Sequence, residues 1–113
     1  MQGLVRSWYE NGNLRWEVEY VNGEVQGLSK YYHDNGQLEI EGQVVNGKKQ
    51  GVWREWDANG KLWRIAMYVN DRVQGFQVAW HSNGSIDYAY LWNRSRYRNL
   101  SEKEIQDIIN KYL

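Results

Sequence analysis

Gln26-Gly27-Leu28-Ser29-Lys30-Tyr31-Tyr32-His33-Asp34-Asn35-Gly36-Gln37-Leu38-Glu39-Ile40 holds the two signals that decide the fold. Asn35-Gly36 separates two segments rich in aromatic and branched apolar residues. An Asn-Gly pair in that setting is the strongest short-range mark of a β-hairpin. Gln26-Gly27 opens a unit that recurs. Asn-Gly stands at Asn11-Gly12, Asn35-Gly36, Asn59-Gly60 and Asn83-Gly84, in steps of 24 residues. Gln-Gly stands at Gln2-Gly3, Gln26-Gly27, Gln50-Gly51 and Gln74-Gly75, in the same steps of 24. A second turn follows at Asn22-Gly23, Asn46-Gly47 and Asn70-Asp71, again 24 apart, and at Asn93-Arg94, 23 further on. Internal periodicity of this length marks a repeat architecture.

The columns between these marks keep their chemistry: Leu4, Leu28, Val52, Phe76; Trp8, Tyr32, Trp56, Trp80; Leu14, Leu38, Leu62, Ile86; Tyr20, Val44, Tyr68, Trp92. A two-residue loop at Asn11-Gly12 would set Trp8 opposite Arg15 and split the apolar columns between faces. A three-residue loop, Glu10-Asn11-Gly12, sets Trp8 opposite Leu14, Arg6 opposite Trp16 and Leu4 opposite Val18, so that all the apolar columns share one face. This reading predicts the longer loop, with Gly12, Gly36, Gly60 and Gly84 in the left-handed region as bulge residues. Hairpins 3–26, 27–50, 51–74 and 75–98 then join into one all-β domain. It is a single twisted antiparallel meander of four 24-residue repeats, with its aromatic face curled into a trough.

The pattern changes after Asn93. A short basic run, Arg94-Ser95-Arg96-Tyr97-Arg98, leads to Ser101-Glu102-Lys103-Glu104, a capping box with Ser101 as N-cap. Ile105, Ile108, Ile109, Tyr112 and Leu113 follow at helical spacing. Residues 102–113 are expected to form an α-helix that caps the apolar face of the last repeat, as array ends require.

Composition narrows the function classes. Seven Trp and nine Tyr against one Phe make the aromatics the main carriers of burial, each with a polar tip. Fourteen basic and fourteen acidic residues cancel, so no global field draws in nucleic acid, although a local basic stripe is compatible with that balance. The absence of cysteine removes disulfides and thiolate metal sites. No apolar run approaches the roughly 20 residues that span a bilayer, and Met1-Gln2-Gly3 opens without a signal-peptide pattern, so a soluble cytoplasmic protein is expected.

No constellation reads as catalytic, metal-binding or cofactor-binding. His33 and His81 share a register but lie two repeats apart, roughly 20 Å at the usual strand spacing. The carboxylate pairs Glu17/Glu19 and Glu39/Glu41 read as solubilising strand residues, not as the opposed acids of a glycosidase. Asn83-Gly84-Ser85 matches a glycosylation sequon and reads as the turn. Arg6, Lys30 and Arg54 form a basic column among the aromatics, suited to cation–π packing or to an acidic partner. Trp53 and Trp63 fall in columns that are polar or small in most other repeats. With Glu55, Ile65 and Met67 they are expected to make an exposed patch on the otherwise polar face, the candidate partner-binding site.

Units such as Tyr31-Tyr32-His33-Asp34-Asn35-Gly36-Gln37-Leu38-Glu39-Ile40-Glu41-Gly42 and Val45-Asn46-Gly47-Lys48-Lys49-Gln50-Gly51-Val52-Trp53 resemble the bacterial variant of the MORN repeat (membrane occupation and recognition nexus), and in particular the YwqK-type antitoxin family. The resemblance covers residues 2 to 93, and Asn93-Arg94 departs from it by lacking the second Gly. It implies a non-catalytic protein-binding module, an antitoxin or immunity protein that occludes a toxin. A carbohydrate- or envelope-binding repeat protein is the alternative, because Trp and Tyr platforms stack sugars. Self-association through a sheet edge is a third route.

Overall fold

A computed structural model describes residues 2–113. It consists of ten strands and one helix: β1 Gly3–Trp8, β2 Leu14–Val21, β3 Glu24–Val25, β4 Gly27–Tyr32, β5 Leu38–Val45, β6 Lys48–Trp56, β7 Leu62–Val69, β8 Arg72–Trp80, β9 Ile86–Asn93, β10 Arg96–Asn99 and α1 Glu102–Tyr112. All pair antiparallel with their chain neighbours in one sheet, β3 and β4 both pairing with β2. The repeated hairpin meander with a terminal helix is as the sequence predicts.

Each long loop has three residues. In the first, the Tyr9 N–H donates to the Asn13 carbonyl at 2.8 Å and the Gly12 N–H returns to the Tyr9 carbonyl at 3.0 Å. Gly12, Gly36, Gly60 and Gly84 have φ of 90°, 91°, 83° and 90°, the left-handed conformation in which a side chain is strained. The loops are also tied to one another: the Asn11 amide donates to the Asp34 carbonyl and the Asn35 amide to the Ala58 carbonyl, each at 2.8 Å.

The register beyond the loop differs from the expectation. Trp8 does pair with Leu14, but Ser7 pairs with Trp16, leaving Arg15 as an unpaired extra residue. The same step leaves out Glu39, Trp63 and Asp87 in the later hairpins. A one-residue bulge reverses which face every later side chain takes. Arg6 therefore lies opposite Glu17 instead of Trp16, and Val18 faces Val5 instead of Leu4. The apolar columns do not share one face; both faces carry them.

The Gln-Gly marks have a definite job. The Oε1 of Gln2, Gln26, Gln50 and Gln74 accepts the backbone N–H of Asn22, Asn46, Asn70 and Arg94 respectively, at 2.6–2.9 Å in the last three. Those acceptor-bound residues are the left-handed ones of the two-residue turns, with φ of 50–60°. Each glutamine thus fixes the tight turn that follows its own hairpin.

The helix lies across β6 to β9. Ile105, Ile108, Ile109 and Tyr112 pack on Ile65, Phe76, Val78 and Ala89, with Val52, Met67 and Trp80 at the margin. Its first turn is the expected capping box: Ser101 Oγ accepts the Glu104 N–H and Glu104 Oε1 accepts the Ser101 N–H, both at 3.1 Å. Arg98 closes a two-pronged bond on the Glu104 carboxylate at 2.9 and 2.8 Å.

Candidate functional site

The face that carries α1 is organised by one row of residues crossing the strands. Successive register partners run Arg6, Glu17, Lys30, Glu41, Arg54, Ile65, Val78 and Ala89. The first five alternate in charge; the last three are apolar and lie beneath the helix. Arg6 bonds Glu17 at 2.7 Å, and Arg54 stands 3.9 Å from Glu41. Arg54 also donates to the Tyr112 carbonyl through Nε at 3.0 Å and Nη2 at 2.8 Å. It therefore receives the negative end of the helix dipole at the boundary of the covered region. The basic column Arg6, Lys30 and Arg54 is real as a row. It is interleaved with carboxylates, not aromatic rings, because the bulge brings Glu17 and Glu41 to its face.

On the uncovered half, the apolar columns stand in the open. Leu28 is 43% exposed and Trp8 is 58% exposed, whereas Phe76, in the Leu28 column but under α1, is 6% exposed. No other element of the described chain covers Leu4, Trp8 and Leu28.

The five residues expected to form an exposed patch are not brought together. Trp53 is 2% exposed, its indole N–H donating to the Gln43 carbonyl at 3.1 Å. Glu55 shares the face of Trp53 and pairs with Arg64 at 2.7 Å. Ile65 is wholly buried and Met67 partly so on the opposite face, against α1. Trp63 occupies the bulge and lines a cleft of about 410 Å³ with Leu62, Trp80, Ile109 and Leu113. The bulge at Trp63 is the physical reason: it sends residues 64 onward to the face opposite the one the simple register assigns.

The face opposite α1 is aromatic and has no covering layer. Trp53 and Tyr68 meet edge to face at 6.5 Å, with the Lys49 ammonium 4.9 and 5.0 Å from the two ring centres. Arg64 lies 5.7 Å from the Tyr68 ring. Burial opposes the Arg64 charge, but hydrogen bonding with Tyr68, Glu55 and Tyr88 outweighs it, and the guanidinium is held above the usual arginine value. At the far end Tyr88 stacks on Tyr90 at 5.5 Å, and Tyr97 reaches over Tyr90 and Trp92 at 4.8 and 5.0 Å. A shallow cleft of about 440 Å³ opens beside Trp53, between Tyr31, Ile40, Val44 and Lys49.

The histidines are separate. His33 Nε2 lies 2.9 Å from the Trp56 carbonyl and Nδ1 3.1 Å from Glu39, while His81 stands 3.6 Å from Asp87. Among the described residues no three His, Asp or Glu side chains gather as metal ligands. No helix is long and apolar enough to cross a membrane.

An antiparallel array of repeated hairpins, meshed turn to turn and offering two broad faces, defines a repeat-built binding scaffold. The family model described as the MORN repeat variant matches residues 1–22, 25–46 and 49–70, more than half of the chain, and the protein belongs to that family. Such repeats generally bind proteins or membranes. The fourth hairpin lies outside the matched segments but keeps the same loop, bulge and glutamine bond. No curated protein and no solved structure matches the chain.

Proposed function

We propose that the protein is a non-catalytic protein-binding module whose partner lies on the uncovered half of the helix-bearing face. The observation that carries this is the contrast along single columns: residues buried under α1 in the last repeats are open at Leu28 and Trp8 in the first ones. Apolar side chains at fixed registers, beside a charged row that limits which partner fits, are features of specific interfaces. In its finer form the reading is an antitoxin or immunity protein acting in the cytoplasm, which blocks a toxin by covering its surface; the family resemblance supports this part. The test is co-expression with a captured partner in a growth assay. Wild-type protein should relieve toxicity, and the pair Trp8→Ser, Leu28→Glu should not, at an unchanged unfolding midpoint. Full relief by that variant would remove the reading.

A carbohydrate- or envelope-binding role is the second reading. The stacked group Tyr88, Tyr90, Trp92 and Tyr97 favours it, since sugar rings lie on such platforms. Glycan-array binding that Tyr97→Ala abolishes would select it over the first.

A further inference from the structure

The neutral total charge conceals a separation along the strands. At the long-loop end stand Glu10, Asp34 and Asp57 against Lys61; at the tight-turn end stand Lys48, Arg72, Arg94 and Arg96 against Glu24 and Asp71. Lys48, Arg72 and Arg96 occupy one register, each pairing across its turn with Val45, Val69 and Asn93. The valines are open as well, Val45 being 40% and Val69 47% exposed. None of the four bases forms an ion pair among the described residues. The nearby carboxylate of Asp71 is already engaged, accepting the Lys49 backbone N–H at 2.7 Å. Lys48, Val69, Asp71, Arg72 and Arg94 line a furrow of about 620 Å³. The turn itself does not demand a base, because Glu24 fills the same register in the first repeat.

We propose that this ridge binds an acidic amphipathic helix of a protein partner. The claim rests on the protein-binding reading above and names a second contact surface with its chemistry. Strands in a sheet lie about 4.8 Å apart, so Lys48, Arg72 and Arg96 recur about every 9.6 Å along a ladder, with Val69 as the rung between the first two and Asn93 between the last two. A helix rises about 1.5 Å per residue, so acidic residues seven apart stand roughly 10.5 Å apart, with apolar residues three or four positions on falling between them. The two periods match. A phosphate backbone fits less well, because Val45, Val69 and Asn93 alternate with the bases and bring no positive charge to the row. A planar anionic bilayer would meet Glu24 in the same row.

The probe is a synthetic helical peptide with Glu at every seventh position and Leu three residues after each, its binding to the full chain followed by fluorescence anisotropy. Binding is expected to weaken with added salt, and the exposed pair Lys48→Glu, Arg72→Glu should weaken it by about tenfold or more with an unchanged unfolding midpoint. A peptide of the same composition with its Glu residues clustered should bind less well. Equal binding by the variant, or by the clustered peptide, overturns the proposal. So does a preference for mixed phosphatidylcholine–phosphatidylserine vesicles or for oligothymidylate that the same variant abolishes, since that assigns the ridge to phosphate. Trp8→Ser should leave peptide binding intact. The ridge can therefore fail while partner capture at Trp8 and Leu28 stands, and the reverse outcome is read separately.

Discussion

The indole of Trp53 lies across the backbone of Gly42, so close that a Cβ on residue 42 would fall 2.1 Å from the ring. Residue 42 is the partner of Ser29, and Trp53 is the partner of Ala66 one hairpin on. A large ring in one repeat thus rests on the missing side chain of the repeat before it, and the pair joins two neighbouring hairpins on the aromatic face.

Gly42→Ala should destabilise by about 1–3 kcal/mol, since a methyl group there forces the indole off its seat. Trp53→Ala should cost about 3–5 kcal/mol by leaving a cavity. The two changes together should cost less than their sum, because the new methyl group enters the space the ring left. Urea denaturation of the four proteins completes the cycle; strict additivity would show that the two residues do not share that space.

Ser29 gives the opposite sign. Its side chain is fully buried and its Oγ has no hydrogen-bond partner among the described residues. Removing an unsatisfied buried hydroxyl relieves a desolvation penalty of about 1–3 kcal/mol, less the small cavity it leaves. Ser29→Ala is therefore expected to raise the thermal midpoint or leave it unchanged. A clear drop would reveal a partner for the hydroxyl.

The glutamine series predicts a graded response. Gln26 Oε1 accepts the Asn46 N–H at 2.6 Å. Gln26→Ala should cost about 1 kcal/mol, the usual net worth of such a bond. Gln26→Glu keeps an acceptor in place and should cost less. Equal losses would mean that side-chain packing, not the bond, holds the turn.

Acid should loosen the helix before it unfolds the sheet. The hydrogen-bonded Arg98 guanidinium, followed by the Ser101 backbone N–H, holds Glu104 at about 2, below its usual 4.5. A carboxyl depressed on folding contributes stability that is fully present above 4.5 and is lost as pH falls through about 2. Helical ellipticity should decline across that window while the β signal persists, and Glu104→Gln should flatten the decline. An unchanged slope in that variant would remove Glu104 as the cause.

The sequence carried the period, the three-residue loops with their left-handed glycines, the capping box and the helix that packs on the last repeats. All of these rest on local chemistry. The bulges at Arg15, Glu39, Trp63 and Asp87 were not legible, because a bulge residue has no required chemistry: an Arg, a Glu, a Trp and an Asp fill it in turn. Missing that one residue inverted the faces, and so Trp53 reads as exposed in the sequence and is buried in the fold. A signal was present in the small residues Gly42 and Ala66, which mark where a large ring must lie flat. The tight-turn ridge was hidden for another reason: its bases are 24 residues apart, so no window along the chain shows them as a cluster.

The unequal reach of α1 has a dynamic consequence. Strands β6 to β9 can part only by also lifting the helix, so their amide protons wait for one large opening event. Strands β1 to β4 are held by neighbour-to-neighbour bonds alone, and each hairpin can unzip in its turn. One chain thus combines a slow-exchanging plate with a supple strip, and the strip is the part that presents Leu28 and Trp8.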